Sequence, residues 1–348
     1  MNVDLRMSLV GCMLAACALL TGCERPPTDT VQRGYRGLGM VEVSNPRTVA
    51  VHEALNQAPQ PLPAAPAGGP LASATYQNVQ VLGDLSVNEF TRLMLAMTSW
   101  VAPKEGCAYC HAGANFASDE LYTKVVARRM LQMTRHINNQ WKSHVAATGV
   151  TCFTCHRGEH IPAQVWFKDP GPVTAQGMAG NRAGQNAPAP QVGLTSLPFD
   201  PFTPFLDQSA GIRVASTSAL PDGNRHSIKQ TEWTYALMMH ISQSLGVNCT
   251  YCHNTRSFFS WDASTPQRAT AWHGIRLVRD LNHAYLEPLK PVFPHSRLGP
   301  LGDVPKVNCA TCHQGAFKPL YGASMLHDYP ELAVTASAPP IAAEANKQ

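Results

Sequence analysis

Apolar residues recur three and four apart in four stretches of the chain, and helix start or stop signals flank each of them. SVNEFTRLMLAMTSWVA opens with Ser86 and Glu89 at capping-box spacing. SDELYTKVVARRMLQMTRHINNQWKSHVA is read as one longer helix capped by Ser118 or Asp119. TEWTYALMMHISQSLG runs up to Gly246, a residue type suited to ending a helix. TPQRATAWHGIRLVRDLNHAYLEP places Thr265 at the N-cap and Pro266 at the first helical position, and should end before Pro288. A fifth apolar stretch, MSLVGCMLAACALLTGC, has no such period. Its uncharged run of about 16 residues is short for the roughly 20 that cross a bilayer.

Between the helical stretches the pattern is lost. QAPQPLPAAPAGGP, residues 57 to 70, reads as linker, and DPGPVTAQGMAGNRAGQNAPAPQ as a connector with few apolar side chains. The tail beyond about residue 331 has the composition of disorder. The expected fold is therefore mainly α with extensive irregular loops.

Four pentapeptides supply the chemistry. CAYCH holds Cys107, Cys110 and His111; CFTCH holds Cys152, Cys155 and His156; CTYCH holds Cys249, Cys252 and His253; CATCH holds Cys309, Cys312 and His313. With 11 Cys and 14 His in 348 residues, chance supplies roughly 0.01 such matches. Cys-x-x-Cys-His is the attachment signal of a covalent c-type haem, both sulfurs bonding the porphyrin and the imidazole lying under the iron. A zinc half-site would not need His directly behind the second Cys each time. The sequence thus implies a multihaem cytochrome with four covalently bound c-type haems.

The motifs pair as 107 with 152 and 249 with 309, which suggests an internal duplication: two pseudo-symmetric halves, each binding two haems. The expected parse is a leader at 1–22, an extended segment at 23–80 and a first half at 81–168. A connector at 169–220, a second half at 221–325 and a flexible tail at 326–348 complete it.

Eight cysteines belong to the motifs; the others, Cys12, Cys17 and Cys23, lie in or just after the N-terminal apolar run. Leu20-Thr21-Gly22-Cys23 resembles the lipobox of bacterial lipoproteins, in which cleavage precedes a Cys that then takes a diacylglycerol. Lipidation at Cys23 would leave no free thiol and no disulfide in the mature chain. It would also place the protein on the periplasmic face of the inner membrane.

The net charge of +4 suggests a basic protein, but four haems bring roughly −8 in propionates, partly returned by the oxidised irons. The holoprotein sits near neutrality, and no nucleic-acid partner is inferred. With 28 Pro, 25 Gly and 7% aromatics, the chain needs porphyrins to fill its core.

A six-coordinate haem takes Met or His opposite its proximal His, the thioether giving the higher potential. The candidates are Met94 or Met97, Met130 or Met133, and Met238 or Met239, one pair on each of the first three helices. No Met lies between residues 254 and 312. The fourth iron must therefore choose among His273, His283 and His295 nearby and His136, His144 and His240 from elsewhere. Arg268 and Arg276, on the helix before the fourth motif, are candidate propionate partners.

Several blocks are more specific than haem attachment: GYRGLGM, EFTRLMLAM with WVAPKEGCAYCH, VVARRMLQMTRHIN with HVAATGVTCFTCHRG, and YALMMHISQSLGVNCTYCH. On these the chain resembles the tetrahaem cytochrome subunit of the purple bacterial photosynthetic reaction centre, from Cys23 to about residue 325. The resemblance implies Met94, Met130 and Met238 as sixth ligands of haems 1, 2 and 3, and His144 as that of haem 4. His144 lies 14 residues after Met130, about 40° from its face if the helix is continuous. The implied function is electron transfer without bond-making chemistry, so the chain is not an enzyme. It would re-reduce the photo-oxidised bacteriochlorophyll special pair of the reaction-centre core. Haem 3 would lie nearest the pair, with haem 1 accepting electrons from a soluble periplasmic cytochrome or high-potential iron–sulfur protein. A multihaem periplasmic oxidoreductase and a free shuttle are the competing classes. The first needs an iron with an open position, and the second should wash off membranes in salt.

Overall fold

The structure, a computed structural model, describes residues 27–32, 41–170, 189–212, 214 and 228–333. It is mainly α. A two-stranded antiparallel ribbon comes first, β1 (Asp29–Gln32) on β2 (Val41–Ser44), with Asp29 opposite Ser44. Helix α1 (Pro46–Leu55) follows, its first turn fixed by the Asn45 side chain, which accepts from Arg47 N at 3.0 Å, and by Pro46. The helices that carry the core are α2 (Val87–Val101), α3 (Tyr122–Gln140) with the short α4 (Lys142–Val145), α5 (Cys152–His156), α6 (Ile228–Leu245), α7 (Pro266–Leu281) and α8 (Cys309–His313). No helix among the described residues is long and apolar enough to cross a membrane.

Helix α2 has the expected capping box, with Ser86 N donating to Glu89 Oε2 at 2.9 Å and Glu89 N to Ser86 Oγ at 3.3 Å. Its Leu93, Ala96 and Trp100 recur on one face and are buried against Leu320, Met325, Tyr329 and Leu332. The cap contributes about 1 kcal/mol, whereas one fully buried Leu contributes about 1.5–3 kcal/mol. Packing therefore dominates.

Several expectations need correcting. The helix expected from Ser118 begins at Tyr122, because Asp119 is engaged by Arg128 at 2.8 Å and Lys124 at 3.2 Å instead of capping. It also breaks at Trp141, whose indole N–H donates to Asp280 Oδ2 at 2.8 Å, so Met130 and His144 do not share a continuous helix. Regular α7 stops at Leu281, but the winding continues through a π turn (Asn282–Leu286) and a 3-10 turn (Glu287–Leu289), past Pro288. The π turn aims Asn282 inward, where its amide donates to Leu206 O and Val307 O at 3.1 Å. The stretch at 57–70 is strapped down: Arg92 donates to Leu62 O and Pro63 O, and Leu62 N to the Tyr329 hydroxyl. Residues 326–333, expected in the flexible tail, bury Tyr329 and Leu332 in the first core.

The connector is also not uniformly apolar-poor. Phe202, Phe205 and Leu206 pack with Trp166, Leu237, Ile275 and Val278 in a second core. A third core of Ile137, Val150, Leu277 and Leu281 joins α3 to α7. Helix α6 ends at Gly246, at φ +64°, where a Cβ would collide with the carbonyl of Gly315. Residues 171–188 of the connector, GYRGLGM, Cys12, Cys17 and Cys23 lie outside the described residues.

Candidate functional site

The four Cys-x-x-Cys-His motifs adopt two local structures. The first and third begin as 3-10 turns, Gly106–Tyr109 and Cys249–Tyr251. His111 Nδ1 hydrogen-bonds Phe116 O at 3.3 Å and His253 Nδ1 bonds Phe258 O at 2.8 Å, in each case the carbonyl five residues on. In both, a Thr fourteen residues beyond the motif Tyr fastens the turn, Thr123 donating to Tyr109 O and Thr265 to Tyr251 O.

The second and fourth motifs are the helices α5 and α8. Their caps match as well: Thr151 N donates to Thr154 Oγ1 and Asn308 N to Thr311 Oγ1, both at 2.9 Å. His156 Nδ1 bonds Glu159 O at 2.9 Å and His313 Nδ1 bonds Ala316 O at 2.8 Å, three residues on. Each helix ends on a left-handed residue, Arg157 at φ +53° and Gln314 at φ +47°.

One electronic consequence is common to all four. An Nδ1–H given to a carbonyl fixes the tautomer and leaves the Nε2 lone pair free for a metal. Burial lowers the pKa of all four imidazoles, His313 to about 4, which favours the neutral form that a metal can take up. Burial also raises the motif thiols, Cys110 and Cys252 to about 11 and Cys152 and Cys309 to about 12.

His144 shares this geometry although it belongs to no motif. Its Nδ1 bonds Thr270 O at 2.9 Å, and its ring centre lies 6.1 Å from that of His313 at 66° between planes. Two imidazoles on opposite sides of one metal, each about 2 Å from it, place their ring centres roughly 6 Å apart. The space for the His144 ring is made by Gly274 in mid-α7, where a Cβ would stand 2.6 Å from His144 Cε1.

The remaining candidate imidazoles are held or placed elsewhere. His136 Nε2 contacts Asp280 Oδ2 at 2.6 Å, and His283 Nε2 meets Asp207 O at 2.5 Å. His240 is buried against Phe202 and beside Ser244 Oγ, and burial lowers it to about 4. His273 sits edge-on to Trp272, and His295 is exposed in a short 3-10 turn.

A cavity of about 1410 Å³ runs through the molecule. Its wall includes cysteines and histidines of the first, second and fourth motifs, with Met94, Met97, Met130, Met133 and His144. Met133 also packs in the third core, while Met130 is in none of the three. Both Met94 and Met97 touch the first core. Met238 packs on the second core, whereas Met239 Cε lies against the turn at Gly193. Lined by apolar groups, thiols and tautomer-fixed imidazoles, this space fits flat porphyrins held by thioethers.

One observation departs from the expected cysteine usage. Cys155 and Cys312, the second cysteines of two motifs, are joined as a disulfide with Cα atoms 4.4 Å apart. Helices α5 and α8 pack together, which brings these thiols face to face. A sulfur in that bond is not free to attach a porphyrin, so the pair fits haem only as two thiols.

Arg268 is held by the loop ahead of α7, with Nη1 on Ser260 O and Ser264 Oγ at 2.8 Å and its plane 4.1 Å over Trp261. Arg276 lies over Trp272 at 4.7 Å. Sequence reasoning missed Gly274, Arg157 and Thr123, and it gave Thr265 a helix cap where the hydroxyl instead fastens the motif turn. The Thr pair had a signal, the same offset from Tyr in two motifs; Gly274 had only the oddity of a glycine inside a helix.

Comparison with known proteins is consistent over nearly the whole chain. Residues 24–333 match the family model described as photosynthetic reaction centre cytochrome C subunit. The chain is 58% identical to the photosynthetic reaction center cytochrome c subunit of Rubrivivax gelatinosus, over 95% of this chain and 91% of that protein. It is 55% identical to the protein of the same name from Thermochromatium tepidum, over 95% of this chain and 81% of that one. For the Roseobacter denitrificans subunit the identity is 43%, over 93% and 90%.

Proposed function

The chain belongs to the family of photosynthetic reaction centre cytochrome c subunits, and on that premise we propose a four-haem wire that re-reduces the photo-oxidised special pair. It is an electron-transfer subunit carrying covalent c-type haem, associated with the reaction-centre core at the photosynthetic membrane. The finer reading assigns one haem to each motif, at Cys107/Cys110, Cys152/Cys155, Cys249/Cys252 and Cys309/Cys312. The proximal ligands are then His111, His156, His253 and His313.

The observation that carries this reading is the shared fixing of all four motif imidazoles by Nδ1–H to carbonyl bonds. When bound, each haem supplies a one-electron couple whose potential follows its axial ligands and burial. Met94, Met130 and Met238 would hold haems 1 to 3 as their sixth ligands, and His144 would hold haem 4. The matched hydrogen bonds of motifs one and three, and of two and four, favour two halves related by duplication. For motifs two and four, Cys155 and Cys312 would hold haem only as reduced thiols, each able to supply one thioether link.

Electrons enter from a soluble periplasmic cytochrome or high-potential iron–sulfur protein. A diacylglycerol on Cys23 anchors the chain at the periplasmic face. Extraction of membranes tests the assignment. The chain should resist salt, come off in detergent and copurify with bacteriochlorophyll, and a flash should oxidise its haems. Release by salt alone, without pigment, would overturn it.

A further inference from the structure

Helices α5 and α8 exchange one contact across their interface. Arg157, directly after His156, donates from Nη2 to Cys312 O at 3.2 Å. Gln314, directly after His313, reaches back from Nε2 to Cys155 O at 3.5 Å. The two residues hold equivalent left-handed positions and address equivalent carbonyls, each in the other's motif. They differ in charge.

All three nitrogens of the Arg157 guanidinium donate hydrogen bonds. Nε donates to Thr154 O at 3.0 Å, Nη1 to Leu55 O at 2.8 Å, and Nη2 also to Asn56 Oδ1 at 3.0 Å. Every one of these acceptors is a neutral carbonyl oxygen. The guanidinium is thus a fixed, part-buried positive charge whose hydrogen bonds orient it without cancelling it. Asn56 is itself buried and tied to Gln314 O at 3.1 Å and to Leu320 N at 3.2 Å, so the cation is aimed by a rigid frame. The carbonyl it meets belongs to the peptide that leads into His313.

We infer that Arg157, although it follows the second motif, is a positioning residue that raises the reduction potential of the haem held by the fourth motif. The inference rests on the assignment of haem 4 to His313 and His144. A positive charge near an iron disfavours its ferric form, and in a partly buried setting that effect is weakly screened. A bis-His haem would otherwise have the lowest potential of the four. Arg157 Nε also meets Thr154 O inside the second motif, so that haem feels the charge as well, and the haems of the first and third motifs are the unaffected references.

Redox titration of the purified holoprotein, with each haem followed by its optical and EPR signals, tests this. Arg157→Gln should move the bis-His midpoint downward and leave the two haems held by the first and third motifs in place. Arg157→Lys, which keeps the charge, should stay near wild type. If Arg157→Gln does not assemble, Asn56→Asp opposes the guanidinium with a carboxylate and should produce the same downward shift. An unmoved bis-His midpoint overturns the inference, as does an equal shift in Arg157→Lys or a shift confined to a His/Met haem. Absence of any bis-His signal in the wild type would sink the haem 4 assignment itself.

Discussion

The rings of His144 and His313 stand 6.1 Å apart, centre to centre, although 169 positions separate them in the chain, and both present Nδ1 to a backbone carbonyl. Each ring is therefore oriented before any metal arrives, His313 by Ala316 of its own segment and His144 by Thr270 of α7. Replacing His144 by Met exchanges an imidazole for a thioether at the same place. One low potential should rise, and the other three should hold. Should His144→Met titrate as wild type while a His273 or His283 variant loses the bis-His EPR signal, His144 is not the ligand.

Gly274 is the counterpart of that arrangement. A Cβ there would lie 2.6 Å from His144 Cε1 and 3.0 Å from Nδ1, so Gly274→Ala must push the ring or part the helices. Overpacking of this kind costs about 1–3 kcal/mol. The bis-His EPR signal should weaken in favour of a high-spin one, with a lowered Tm. Helix propensity alone would predict stabilisation by up to about 1 kcal/mol. A higher Tm with an unchanged spectrum would show that the notch is not needed.

How much of this was legible in the sequence varies with what each residue answers to. The capping box at Ser86 and the stop at Gly246 were readable because they are local. The same holds for the start at Pro266, although the Thr265 hydroxyl serves Tyr251 O and not the helix end. The break at Trp141 was not readable, since it depends on Asp280, 139 residues away. The pattern through 118–146 is helical in period, and its interruption at Trp141 coincides with the tertiary bond to Asp280. The angular link between Met130 and His144 therefore had a false premise, and the ring reaches His313 through the separate turn of α4. The burial of Tyr329 in a segment of tail-like composition was hidden for the same reason.

Among the methionines, the pair on α3 is best separated by packing. Met133 is part of the third core, whereas Met130 borders the cavity and joins none of the three. Met130→Leu keeps the volume and removes the thioether. It should abolish one sulfur-to-iron absorption in the red and shift one midpoint. Met133→Leu should leave all four haem spectra intact and cost under about 1.5 kcal/mol in stability. The reverse outcome would exchange the two roles.

The lipid anchor is checked by intact mass. Because Leu20-Thr21-Gly22-Cys23 resembles a lipobox, the mature chain should lack its first 22 residues and carry a diacylglycerol on Cys23. A mass that includes Met1 would remove the anchor from the account.

Asp280 makes the acid sensitivity of the fold predictable. Burial raises its pKa, but the hydrogen bonds from His136 at 2.6 Å and Trp141 at 2.8 Å, with the His136 charge, outweigh that and leave it lowered. A carboxyl that is more acidic when folded stabilises the protein above its unfolded value of about 3.9, and that contribution fades as pH falls through the folded value. The bonds join α3 to α7, so their loss should loosen the third core and the turn that carries His144. Asp280→Asn should therefore lower stability at pH 7 by about 1 kcal/mol, the pair being partly solvated. It should also flatten the decline in stability between pH 5 and the acid limit. Denaturant unfolding of the holoprotein across that range decides the matter. If wild type and Asp280→Asn run parallel at every pH, the carboxylate is not what fastens α3 to α7.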